Sequence, residues 1–206
     1  MLLEWRMKYS FSGILIYVIS TIFVCYLSFR QVIDPPTWNA LFWIILLFAA
    51  VNAVAKSFMQ ESKGLQLFYY TFLHPQHVIL AKIFYNMMLL LVLSAISFLF
   101  YIIFMGNIVE DTFMFFTGLL LGTAGLSSVL TLVSAIAAKT NNSSALMAIL
   151  SFPILLPLLM TVIRFSKNAM DGLNWSVNYP NLVILLAIDV MIIALAWLLF
   201  PYLWRE

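Results

Sequence analysis

Long apolar runs constrain this chain more than anything else in it. A helix needs about 20 apolar residues, at about 1.5 Å rise each, to cross roughly 30 Å of hydrocarbon. Runs of that kind recur along the chain, broken only by short polar stretches. The expected spans are Ser12–Phe29, Asn39–Ala55, Ile79–Phe104, Thr112–Ala138, Ser144–Ile163 and Asn181–Leu203. Of the 206 residues, 65% are hydrophobic and 9% charged. Soluble domains carry roughly 25% charged residues, so this composition excludes a soluble fold. The fold class expected is an all-α integral membrane protein of six transmembrane helices, forming one domain over residues 1–206.

The breaks between runs have physical causes. Asp34-Pro35-Pro36 interrupts the first, because proline lacks an N–H and restricts the residue before it. Trp38 and Trp43 are expected to anchor the second span at the membrane interface. Lys139–Ser143 reads as a short polar turn and Arg164–Pro180 as a longer polar loop. Leu2, Leu3, Trp5 and Met7 alternate with Glu4, Arg6 and Lys8, which suits either a short interfacial helix before the first span or a frayed tail. The first run is long enough to span and no small-residue cleavage site follows it, so it is expected to stay in place as a helix. Basic residues set the orientation. With the N-terminus inside, seven lie on the cytosolic side (Arg6, Lys8, Lys56, Lys63, Lys82, Lys139, Arg205) and three opposite (Arg30, Arg164, Lys167). Both termini are therefore expected in the cytosol.

The most polar interruption, Lys56–Lys82, falls on that same side. At ~100° per residue, Phe58, Leu65, Tyr69 and Phe72 share one face of a helix, and Lys56, Gln60 and Lys63 the other. The expectation is an amphipathic helix on the inner membrane surface. Gly64 would mark a bend, since it costs about 1 kcal/mol against alanine, and Pro75 stops it. Glu61 lies at the border of the apolar face, where it either snorkels to water or meets a partner.

Few residues could carry chemistry. Nothing resembles a phosphate-binding G-x-x-x-x-G-K-[ST] loop, H-E-x-x-H or G-x-S-x-G, so an ATP site and an intramembrane enzyme are both disfavoured. A net charge of +2 gives no reason to expect nucleic acid. His74 and His77 have no acidic or cysteine neighbour and read as a surface loop rather than a metal site. Cys25 cannot form an intrachain disulfide, and the methionines read as packing filler. Gly118 and Gly122 form a G-x-x-x-G followed by Gly125. Such a stripe lets backbones approach closely, either within the chain or at a homodimer seam, and packing within the chain is the first expectation. Pro153 and Pro157 are expected to kink the fifth span, with gating as a further role. Asp189 is the one acid inside the sixth span, a functional candidate because such a group must pair or meet water. Asn52 and Asn86 are candidate interhelical hydrogen-bond partners.

These residues resemble the haem exporter protein B family (CcmB). The resemblance rests on Phe58, Glu61, Gly64-Leu65, Pro75 and Leu80-Ala81-Lys82. It rests too on Glu4-Trp5-Arg6, Ser12-Gly13, LLLGTAGLSS at Leu119–Ser128, and the doubly proline-bearing Ala148–Leu159, all in the family's order. It implies the six-span fold of an export-type ABC permease in the bacterial inner membrane. It also implies a separate ATP-binding cytosolic subunit (CcmA) docked on the island at Lys56, Gln60, Glu61, Lys63 and Gly64. The family varies the acid at the position of Glu61, which implies a need for a carboxylate. Further implied partners are the haem-handling membrane subunits CcmC and CcmD and the periplasmic haem chaperone CcmE. Haem would be cargo of the complex, with none bound tightly by this chain. The alternatives are an export permease for another cargo and an assembly scaffold without a substrate path. A continuous polar or aromatic-lined path would favour transport; a core filled by apolar side chains would favour the scaffold.

Overall fold

The computed structural model describes residues 2–29, 34–54, 74–139 and 143–204, and those residues build six helices and no strand. They are α1 (Leu2–Phe29), α2 (Pro35–Val54), α3 (Pro75–Met105), α4 (Thr112–Ala137), α5 (Ser143–Met170) and α6 (Trp175–Trp204). Each is long and apolar enough to cross a membrane. With six crossings, the starts of α1, α3 and α5 and the ends of α2, α4 and α6 share one face, here the terminal face. The other ends of the helices share the opposite face.

Helix ends follow local chemistry. Pro35 opens α2, where its missing N–H is no loss. Asp34 caps it: Thr37 N donates to Asp34 Oδ2 at 3.3 Å and Trp38 N to Asp34 O at 3.0 Å. The hydrogen bond from Thr37 holds the Asp34 carboxyl below the usual carboxylate range. Pro75 opens α3 in the same way. Gly106, at φ 81°, ends α3 by donating its N–H to Ile102 O. Asp111 caps α4, its Oδ1 accepting from Met114 N at 2.9 Å, while its own N–H donates to Ala169 O on α5.

Two expected boundaries move. α1 is one unbroken helix from Leu2, so the N-terminal amphipathic turn and the first span are continuous. The expected loop Arg164–Pro180 is mostly helix: α5 runs on to Met170 and α6 begins at Trp175. The reason is a left-handed cap. Gly172, at φ 62°, lets Leu173 N reach back to Asn168 O at 3.0 Å, closing α5 in a Schellman-type turn. Pro180 sits within α6 but in its second turn, where few intrahelical N–H bonds are lost. The turn between the two helices is therefore only residues 171–174.

Packing is centred on α4. Buried residues make up 83% of its apolar window, against 11% for the window of α1. α4 touches α2, α3, α5 and α6, whereas α1 packs mainly on α2 and α3. The sequence already fits α4 to this place, with Gly118, Gly122, Thr123, Gly125, Ser127, Ser128, Thr131 and Ser134 all buried along it. Small side chains let four neighbours approach one helix, and each Ser or Thr keeps a carbonyl or a partner for its hydroxyl. Lipid replaces water around the rest: Ile16, Phe84, Ile103, Phe113, Ile149, Val190 and Tyr202 are all exposed at the perimeter.

Trp38 and Trp43 overturn an expectation. Both are fully buried at 0% exposure rather than lying at the interface. Trp38 packs edge-on to Tyr101 with centroids 4.7 Å apart, beside Phe42, Phe98 and Phe115. Tyr101 Oη donates to Trp38 O at 2.9 Å. Aromatic residues of α2, α3 and α4 thus form one solid cluster near the opposite face.

Candidate functional site

The sequence-based site on Lys56, Gln60, Glu61, Lys63 and Gly64 lies outside the described residues. The other candidates converge on α4. A Cβ on Gly118 would stand 2.7 Å from Phe165 of α5. One on Gly122 would stand 2.6 Å from Trp43 of α2 and 2.8 Å from Val162 of α5. One on Gly125 would stand 2.5 Å from Leu158 of α5 and 2.6 Å from Asp189 Oδ1 of α6. In this structure the glycine stripe receives neighbours from three helices of the same chain.

Asp189 lies halfway along α6 and is 5% exposed. Its Oδ1 has no hydrogen-bond partner. It shares a narrow buried seam with Asn178, Leu185, Ile192, Ala196 and Phe200, spaced mostly three or four residues apart, while the rest of α6 faces lipid. A polar atom in hydrocarbon with no partner costs several kcal/mol. Among the neighbours a Cβ at Gly125 would meet, Leu158 offers no donor.

Nearer the opposite face most buried polar groups are paired, the indole N–H of Trp38 being an exception. Asn39 Nδ2 donates to Ile163 O at 2.8 Å, and Trp43 Nε1 to Ser166 Oγ at 2.9 Å. Ser166 Oγ lies 2.8 Å from Asn39 Oδ1 and 2.7 Å from Val162 O, either of which can accept its one proton. This clasp ties α2 to α5. A second ties α6 to α5 and α4: Asn178 Nδ2 donates to Phe165 O and Met114 Sδ, and Asn178 Oδ1 accepts from Asn168 and Asn181. Neither clasp is readily visible in the sequence. Ser166 and Asn178 fell in an expected loop, and Asn39 at the edge of a span. The available signal was amide and hydroxyl side chains recurring at helical spacing beside apolar runs.

The remaining candidates scatter. Pro153 and Pro157 are exposed on α5, which is helical through both; Thr161 Oγ1 donates to Pro157 O at 2.8 Å. Asn86 Nδ2 donates to Thr131 Oγ1 at 2.9 Å and so joins α3 to α4. Asn52 does not join helices: it is exposed and donates to Phe48 O of its own turn. His74 and His77 are exposed at the start of α3, with ring centroids 5.7 Å apart. Cys25 is half-buried in α1. Among the described residues no three His, Cys, Asp or Glu side chains gather as a metal site would need.

A family model described as CcmB protein matches residues 9–202, nearly the whole chain. The chain belongs to the CcmB family. CcmB proteins are membrane components of the ABC-type cytochrome c maturation and haem export system, which works with an ATPase and other Ccm components. With its six apolar helices, this CcmB protein is a multi-pass membrane protein. Neither the comparison with curated proteins nor that with solved structures gave a match.

Proposed function

We propose that this chain is the energy-coupling membrane subunit of its complex, in the bacterial inner membrane with both termini in the cytosol. A separate ATPase (CcmA) docks on the island around Glu61. Its hydrolysis of ATP moves the helix bundle. That motion drives haem export, or release of the haem-loaded chaperone (CcmE), in concert with CcmC and CcmD. The chain itself is not an enzyme, a reading supported by a sequence without a phosphate-binding loop. Haem is cargo of the complex, and no tight haem site belongs to this chain. The observation that carries this function is the family match over residues 9–202.

One structural observation favours release over conduction through the single chain. The interior is filled by Trp38, Phe42, Phe115, Leu126, Leu158 and Phe165, each at most 2% exposed. A solid core of this kind supports a subunit that transmits movement, the property expected of a scaffold that ATP rearranges.

The test is photo-crosslinking from position 60 or 63 in membranes that contain the assembled complex. An adduct with the ATPase subunit is expected, weakened by Glu61→Lys while the amount of folded chain is unchanged. Absence of any adduct, with maturation untouched by Glu61→Lys, would remove the island as the docking site.

A further inference from the structure

ATPase docking on the terminal face leaves Asp189 without a role, although it sits at the centre of the bundle. Packing does not explain it. An apolar side chain of similar size would fill the same place without burying a polar oxygen that has no partner. The α4 and α5 residues beside it offer no compensating charge. α4 presents Gly125, with Leu121 and Ser128 about one turn to either side; α5 presents Leu158, with Leu155 and Val162 nearby; none of these is titratable. The Ser128 hydroxyl is turned to Ala124 O of its own helix at 2.8 Å. Leu158 and the carboxyl close over Gly125, where even a methyl group would not fit. The seam is closely packed, yet it carries a group that needs a donor.

Two features show how the seam can part. Towards the terminal face, the hydrophobic interior divides. Ala196 and Phe200 of α6 pack with Leu132 and Ala135 of α4 and with Ile79 and Ile83 of α3, in a cluster separate from the main core. That end of α6 can therefore leave α4 without disrupting the core around Leu185. Between that plug and Asp189, α4 supplies Ser128, a hydroxyl that can turn to a new partner. A gap opening from the terminal face would meet Ala196 first, then Ser128, then the carboxyl.

We propose that Asp189 is a water-binding group: the α4–α6 seam parts at its terminal-face end during the working cycle and admits water to the carboxyl at the middle of the membrane. The energy for parting rests on the ATP coupling proposed above. Island crosslinking tests that coupling by itself, whereas the labelling described next reports the seam.

The experiment uses membranes containing the whole complex, with Cys25→Ser and a single reporter, Ile192→Cys. Ile192 is 2% exposed and lies about one turn from Asp189 towards the terminal face. A thiol reacts as thiolate, which forms only where water reaches it. With a small charged thiol reagent, labelling should be slow without nucleotide. It should be about fivefold or more faster during ATP turnover, the lower end of ordinary allosteric coupling. Ala196→Cys is the second reporter should Ile192→Cys fold poorly. Adding Asp189→Leu should abolish the acceleration and lower the yield of c-type cytochrome, with a melting temperature no lower than that of the parent. Labelling that is equally slow, or equally fast, with and without ATP overturns the proposal. So does acceleration that survives Asp189→Leu, or a variant that melts lower and loses function in step, since that is the behaviour of a packing residue.

Discussion

Gly122→Ala tests the packing of α4 at a position where α2 and α5 both close on it. The added methyl would stand 2.6 Å and 2.8 Å from two atoms of the Trp43 ring and 2.8 Å from Val162 Cγ2. Trp43 cannot easily withdraw: it is fully buried, its Nε1 donates to Ser166 Oγ, and Phe42 packs edge-on to it at 5.6 Å. Overpacking of this kind costs about 1–3 kcal/mol. Alanine's better helix propensity returns about 1 kcal/mol, leaving a net loss of up to about 2 kcal/mol. For a chain of this size, each kcal/mol moves Tm by about 2–4 °C. The assay is thermal unfolding of the purified chain in one detergent, beside Gly13→Ala, where nothing lies within 4 Å of the new methyl. Gly13→Ala should hold or raise Tm and Gly122→Ala should lower it. Trp43→Phe removes ring atoms from the clash, so its effect and that of Gly122→Ala should be less than additive. A Gly122→Ala protein as stable as Gly13→Ala, or full additivity with Trp43→Phe, would refute the reasoning.

Topology reporters fused at Gly106 and Gly172 should read periplasmic and one at Lys63 cytosolic; a cytosolic signal at Gly172 would break the six-crossing arrangement. Replacing both His74 and His77 with alanine should leave cytochrome c maturation largely intact, and a haem spectrum of the isolated chain that vanished in that variant would make the two histidines ligands after all. Asn86→Leu should lower Tm, because Thr131 Oγ1 loses its donor on α3, whereas Asn52→Leu should not, since Asn52 bonds only its own turn; equal effects would mean that the helix faces are misassigned.

The spans were legible because hydrocarbon imposes a length and a polarity on whatever crosses it. Their ends were less so. Hydropathy locates where lipid begins, but a helix continues past that point wherever backbone bonds and a cap allow, as α5 does from Ile163 to Met170 before Gly172 stops it. Trp38 and Trp43 show a second limit. Beside two prolines they look like interface anchors, yet the partners that bury them, Phe98, Tyr101, Phe115 and Ser166, come from three other helices. The small residues of α4 announced close approach without saying to what; α2, α5 and α6 each answer at a different glycine. Asn52 and Asn86 are chemically identical, and only position relative to α4 gives one a partner across helices. Asp189 was visible as an acid in an apolar run, but its lack of a partner is a property of the assembled seam.

The central claim, that this chain turns ATP hydrolysis by a partner into a step of cytochrome c maturation, is tested most directly by release of the haem-loaded chaperone from membranes holding the complete complex. With the wild-type chain, added ATP should release the chaperone, and with Glu61→Lys the release should fall while the chain and its ATPase remain present at normal levels. Release that proceeds equally well in membranes lacking this chain would contradict the claim.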